Sequence, residues 1–245
     1  MTPVNADTAF ELGRTLPALT LDARLVRIAA IAHRAVMTTS LGVEDQVLTA
    51  AIAGAARGIH LATLDTGRLF PETEALLAET RVRYGLDIVA YRPRAEDVED
   101  FTARYGVDGF YGSREARHAC CHARKLVPLA RALKGADVWV TGLRRDQSGA
   151  RASTPFAEWD GERGLLKVNP LADWSGEDVR AYVAAHDVPV NPLHARGYPS
   201  IGCEPCTRAV KPGESERAGR WWWERDDTRE CGLHVAAKVP AYASS

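Results

Sequence analysis

The chain has 245 residues, 46% of them hydrophobic, enough to bury a full core, and one α/β domain is the simplest arrangement at this length. With 31 basic and 32 acidic side chains the formal charge is −1, so the basic excess needed for nucleic-acid binding is missing and any anion site must be local. The opening residues (MTPVNADTAF) lack a basic n-region and an apolar h-region, and no apolar run approaches the ~20 residues of a membrane span. The expected compartment is therefore cytoplasmic, where cysteines serve metal binding or catalysis more often than structural disulfides.

Residues 8–34 carry apolar side chains at helical spacing (Phe10, Leu12, Leu16, Leu21, Leu25, Ile28, Ile31), which predicts one or two amphipathic helices. Ala35 to Ser40 reads as a short buried strand, 41–45 as a turn and 45–57 as a helix. A second strand over 59–64 ends in Asp65-Thr66-Gly67-Arg68, and Pro71 opens the next helix where its missing N–H costs nothing. Further strands are expected over 86–91 and 138–141, separated by helical segments. Such alternation implies a parallel sheet with ligands at the C-terminal strand ends. The polar loops 38–45, 65–68 and 142–151 fall there and should line one crevice. The expected organisation is N-terminal helices over 8–34, a nucleotide-binding α/β core over 35–185, and a turn-rich extension over 186–245 that folds back over the sheet edge. The Trp221-Trp222-Trp223 run in that extension reads as packing or interface.

Four of the five cysteines fall in two pairs, Cys120-Cys121 and Cys203-Glu204-Pro205-Cys206; the fifth, Cys231, stands alone near the C-terminus. The two pairs can meet only in the folded chain. Cys-x-x-Cys suits zinc, an iron–sulfur cluster or a redox dithiol, and two pairs could also be disulfides. Spacing alone ranks structural zinc narrowly ahead of a cluster, whereas directly adjacent cysteines favour the cluster. His118 and His122 flank the pair and read as surroundings rather than ligands, and Lys125 could neutralise a cluster or an anionic substrate.

Three further stretches could carry chemistry. Thr39-Ser40-Leu41-Gly42 stands at a strand-to-helix turn that could receive an oxyanion on its N–H groups or act as a plain helix cap. Gly142 to Ser148, with Arg151 beyond, presents guanidinium forks just after a strand, the geometry for phosphate or sulfate; a solvated turn is the alternative. In Glu230-Cys231-Gly232-Leu233-His234, the preceding Arg217, Arg220 and Arg229 would favour the nucleophilic thiolate.

Taken together, these segments resemble the assimilatory sulfonucleotide reductases, specifically the iron–sulfur type acting on adenosine 5′-phosphosulfate (APS). The similarity spans about residues 35–234 and rests on Thr39 to Gln46, Leu64 to Arg68, Gly142 to Ser148, Gly197 to Thr207 and Glu230 to His234. It implies a Rossmann-like parallel sheet of the adenine nucleotide alpha hydrolase-like type with a loop-rich C-terminal extension. It also implies a [4Fe-4S] cluster on Cys120, Cys121, Cys203 and Cys206, which reverses the spacing-only preference for zinc. By the same resemblance Cys231 is the nucleophile, Lys125, Arg151, Arg217, Arg220 and His234 hold the phosphosulfate, and Thr39, Ser40, Leu64 and Gly142 hold the nucleotide. The implied partners are APS and thioredoxin, with no nucleic acid and no membrane; a homo-oligomer is left open. Relatives that use the 3′-phosphorylated substrate (PAPS) generally lack both cysteine pairs. The chain departs from the related SGGxDS-type loop at Leu41, so pyrophosphate release from ATP is not expected. The competing readings are a PAPS reductase and a non-catalytic, zinc-stabilised nucleotide-binding protein.

Overall fold

The computed structural model describes residues 3–224. Its strands are β1 (Ala35–Thr39), β2 (His60–Leu64), β3 (Ile88–Tyr91), β4 (Val138–Val140), β5 (Ala157–Asp160) and β6 (Leu165–Val168). They form one sheet in the order β3-β2-β1-β4-β6-β5, parallel throughout except for β5, which runs antiparallel to β6 at the edge. Strands buried on both faces need apolar residues at successive positions, and Val-Trp-Val in β4 and Leu-Leu-Lys-Val in β6 are buried at every one. The odd member, Lys167, reaches the edge and pairs with Glu158 on β5 at 2.7 Å.

The helices are α1 (Ala6–Thr15), α2 (Leu21–Ile31), α3 (Val43–Ala55), α4 (Pro71–Tyr84), α5 (Ala95–Tyr105), α6 (Arg114–Cys121), α7 (Val127–Ala132) and α8 (Gly176–His186). The period of two along each strand sorts its side chains onto two covered faces. Met37, Ile88, Val140 and Val168 join one cluster with Leu12, Leu25 and Leu48 of α1–α3 and Val179 of α8. Val36, Ala62 and Trp139 join the other with Leu129 and Ala132 of α7. A third cluster sets the two cysteine pairs among Phe101, Phe110 and Trp221.

Strand and helix positions follow the sequence expectations closely. Pro71 occupies the first turn of α4, and Gly85 ends that helix at φ +58. The third strand starts at Ile88 rather than residue 86. The β5–β6 hairpin was not expected from the sequence. The described part of the segment beyond α8, residues 187–224, meets the sheet at its C-terminal strand ends, where the sequence suggested an edge. Glu204 N donates to Arg68 O at 2.8 Å, and Asn191 Nδ2 to Thr73 Oγ1 at 2.9 Å.

Candidate active site

In the strand order, neighbours diverge at β1, and the crevice outside such a switch point is where open α/β sheets bind ligands. A cavity of about 220 Å³ opens there. From β1 and its loop come Thr39 and Ser40, from β2 Leu64, and from beyond β4 Gly142 and Arg151. Lys125, Arg217 and Arg220 line it as well. The three loops expected to line one crevice therefore all contribute to it, through Ser40, Thr66 and Gly142 among others. Cys231 and His234 lie outside the described residues.

The turn after β1 is held by side-chain oxygens. Asp45 Oδ2 accepts from Ser40 N at 2.6 Å and Ser40 Oγ at 2.7 Å; Thr39 Oγ1 accepts from Leu41 N, and Ser40 Oγ from Gly42 N. The N–H groups of Ser40, Leu41 and Gly42 are thus engaged within the turn itself, ahead of the first turn of α3, which begins at Val43. The plain-cap reading shifts: the cap of α3 is Gly42, with no side-chain bond. Leu41, buried, takes φ +61, a left-handed conformation in which a branched side chain is strained. Burial pushes the Asp45 carboxyl up to about 6, against the lowering effect of the Ser40 hydrogen bonds. Gly142 is needed beside it, because a Cβ there would collide with Asp45 Oδ1.

The arginines after β4 part company. Arg144 is buried and pairs with Glu44 Oε1 through Nε and Nη2 at 3.0 and 2.8 Å, while Arg145 Nε donates to Thr154 O. Arg151 lines the cavity, with Nη1 on Gln147 Oε1 at 2.5 Å. Lys125 owes its position to an irregular helix: residues His122–Leu126 form a π turn in which Val127 N donates to His122 O. Pro128, in the next position, has no N–H to continue the ladder, and such turns recur at functional sites. His118 and His122 are exposed.

Beside the cavity lies a smaller pocket lined by Cys120, Cys121, Cys203 and Cys206 together with Arg68, Arg117, Arg124 and Lys125, and by no acidic side chain. Cys203 and Lys125 line both spaces. Among the described residues no group of three or more His, Cys, Asp or Glu is placed to hold a single metal ion. The donor set itself is four thiols from two distant segments, ringed by cations. Burial, with like-charge Cys203 second, pushes the Cys206 thiol up to about 12, and burial raises Cys120 as well. Iron bound to such sulfurs displaces the protons, and the cations offset the resulting charge, so these residues fit a thiolate-ligated iron–sulfur cluster. Thr66, quoted in the sequence only as part of a strand-end loop, has its Oγ1 3.3 Å from Cys203 Sγ. Arg117 was missed although it stands one helical turn before Cys120 on α6, a spacing that could have found it, and Arg68 was quoted only as part of the strand-end loop, not as a neighbour of the cysteines.

A sequence profile described as the phosphoadenosine phosphosulfate reductase domain matches residues 34–209. A curated protein of Agrobacterium fabrum named adenosine 5′-phosphosulfate reductase is 62% identical over 96% of this chain and 90% of its own length. A protein of the same name from Allochromatium vinosum is 54% identical over 86% and 82% of the two chains. Among solved structures, phosphoadenylyl-sulfate reductase from Candida auris superposes with a TM-score of 0.71 at 26% identity, covering 85% of this chain and 99% of that one. Yeast FAD synthetase, at 15% identity, TM-score 0.51 and coverage of 83% and 75%, shares the fold alone. No helix among the described residues is long and apolar enough to cross a membrane.

Proposed function

The chain belongs to the sulfonucleotide reductase family, an oxidoreductase family, and from that premise we propose that it reduces adenosine 5′-phosphosulfate to sulfite and AMP, with thioredoxin as electron donor. The observation that carries the substrate choice is the pocket of four cysteines sharing Cys203 and Lys125 with the nucleotide cavity. The names of relatives more than half identical over most of the chain support the same choice.

Thr39, Ser40, Leu64 and Gly142 hold the nucleoside at the strand ends, and Lys125, Arg151, Arg217, Arg220 and His234 hold the phosphosulfate. The Cys231 thiolate attacks the sulfur of APS. The S–Sγ bond forms as the sulfur–oxygen bond to phosphate breaks, and AMP leaves with the electron pair. Negative charge grows on the departing phosphate, so fixed guanidinium and ammonium groups there stabilise the transition state more than the bound substrate. The product on the protein is an S-sulfocysteine. One thioredoxin thiolate attacks Cys231 Sγ, releasing sulfite and forming a mixed disulfide. The second thioredoxin thiol resolves it, so that thioredoxin is oxidised by two electrons and Cys231 is regenerated. A [4Fe-4S] cluster on Cys120, Cys121, Cys203 and Cys206 would supply charge and rigidity beside the substrate, since the thiol route already accounts for both electrons. The reaction belongs to sulfate assimilation toward cysteine, in the cytoplasm.

Intact-protein mass after mixing the anaerobic, iron-loaded protein with APS and no reductant tests the reading. A sulfonate adduct mapped to Cys231, lost on adding thioredoxin, is expected. Preferential adduct formation with PAPS would overturn the substrate, and no adduct with either nucleotide would overturn the activity.

A further inference from the structure

Trp221 is fully buried, yet it sits at φ +42, a conformation that costs energy for any bulky side chain and persists only where surroundings enforce it. Two guanidiniums stack on its indole. The Arg117 Cζ lies 4.6 Å and the Arg220 Cζ 4.8 Å from the indole centroid. Arg220 belongs to the nucleotide cavity, which Trp221 also lines. Arg117 stands three residues before Cys120 on α6 and is itself completely buried. Its guanidinium grips Glu224 with both arms, Nε to Oε1 at 2.5 Å and Nη2 to Oε2 at 2.9 Å. Glu224 N in turn donates to Trp221 O at 2.8 Å, closing a short loop around the indole.

We propose that Arg117 and Glu224 are positioning residues for Arg220. Acting through Trp221, they hold its guanidinium against the cavity at the place where the reading above puts the phosphosulfate. Four observations carry this. The direct supports of Arg220 Nη1 are long, 3.3 Å to Ser200 Oγ and 3.2 Å to Ile201 O, so its direction depends on the ring it stacks on. The backbone that carries that ring is held at φ +42 and the ring itself is fully buried, which leaves it little latitude. The second guanidinium on it is fixed bidentately, the geometry that specifies orientation best. Finally, Gly202 leaves room for the Arg220 fork, since a Cβ there would collide with it. The arrangement therefore ties α6, which carries one cysteine pair, to a cation of the substrate cavity and to the last described residue, seven positions before Cys231.

The inference rests on the proposed substrate reading only in assigning the anion to Arg220. Its test is calorimetric titration of the full-length, iron-loaded protein with AMP and with adenosine, neither of which is turned over. Arg117→Gln should weaken AMP about tenfold and leave adenosine within about twofold, because only AMP carries the group Arg220 meets. In an Arg220→Gln background the same change should cost nothing further. Equal loss for both ligands, or additive losses in the double variant, would mean that Arg117 merely supports the fold and would overturn the inference. Should Arg117→Gln not yield folded protein, Glu224→Gln, which leaves the Arg117 charge in place, is read by the same criteria. Failure of the unaltered protein to release sulfite from APS would defeat the functional reading but leave the AMP and adenosine comparison intact. Failure of the unaltered protein to bind AMP would defeat both.

Discussion

Asp45 is the residue at which local chemistry conflicts with burial. A carboxylate with two hydrogen-bond donors should ionise easily, but Asp45 is buried, beside Glu44, and burial dominates, so the folded pKa stands at about 6 against 3.8 in an open chain. The folded state therefore binds this proton more tightly than the unfolded state. The resulting stabilisation is complete below pH 3.8 and is lost as the pH rises through about 6. A difference of this size is worth about 3 kcal/mol. Replacing Asp45 by Asn should remove that share of the pH dependence. Denaturant unfolding at pH 4 and pH 8 is expected to show unaltered protein losing more stability than Asp45→Asn across the interval; parallel curves would refute the burial argument. Gly142 and Leu41 belong to the same microenvironment. One is present because Asp45 leaves no space for a Cβ, the other keeps a left-handed turn that glycine would adopt without strain.

Two elements decide where the cations of the cavity stand. The π turn at His122–Leu126 inserts one extra residue into an otherwise continuous helical run, which places Lys125 at both the thiol pocket and the cavity. The second element is the close approach of residues 207–208 to 219–220. Thr207 and Arg220 form an antiparallel bridge, and Arg208 N donates to Gly219 O at 3.0 Å. A Cβ at Gly219 would run into the Arg208 carbonyl, which is backbone and cannot swing aside. Gly219→Ala should therefore force this ribbon apart, lowering stability by about 2 kcal/mol and weakening AMP binding at the same time. Thermal unfolding and calorimetry on one preparation check both effects. Neither element is legible from the sequence. Pro128 signals an interruption but not a π turn, and a glycine in a turn-rich stretch is unremarkable until its opposite strand is known.

At the scale of the whole molecule, the N-terminal helices are fastened to the core by Arg24. Its guanidinium donates to Leu16 O, Pro170 O and both oxygens of Asp173, at 2.7 to 2.9 Å, and it stacks on Phe156 at 4.9 Å from the ring centroid. Arg24 is buried while Asp173 is 38% exposed, so part of the carboxylate remains solvated when the partner is removed. Arg24→Ala should cost about 2–3 kcal/mol, below the 3–5 kcal/mol range for breaking a fully buried pair. Arg27→Ala, which breaks only an exposed pair with Glu11, should cost less than about 1 kcal/mol. Chemical denaturation of the two variants gives the comparison, and equal losses would mean that the long-range docking contributes nothing. In sequence both arginines look alike, polar positions of one amphipathic helix; only the loop brought over from 170–173 separates them.

What the sequence determined by itself was the parallel α/β frame, because buried apolar runs, alternating helices and turn residues are local properties. It also determined the family, because short motifs with fixed chemistry survive in order along the chain. The tertiary structure decided which cations serve which space. Arg144 turned inward to Glu44, Arg151 faced the cavity, and Lys125 stood between cavity and thiols. It alone brought Cys120-Cys121 to Cys203 and Cys206 and set Arg117 against Trp221. Residues a hundred positions apart meet only once the sheet, the π turn and the returning C-terminal segment have fixed their directions, and no local propensity encodes that meeting.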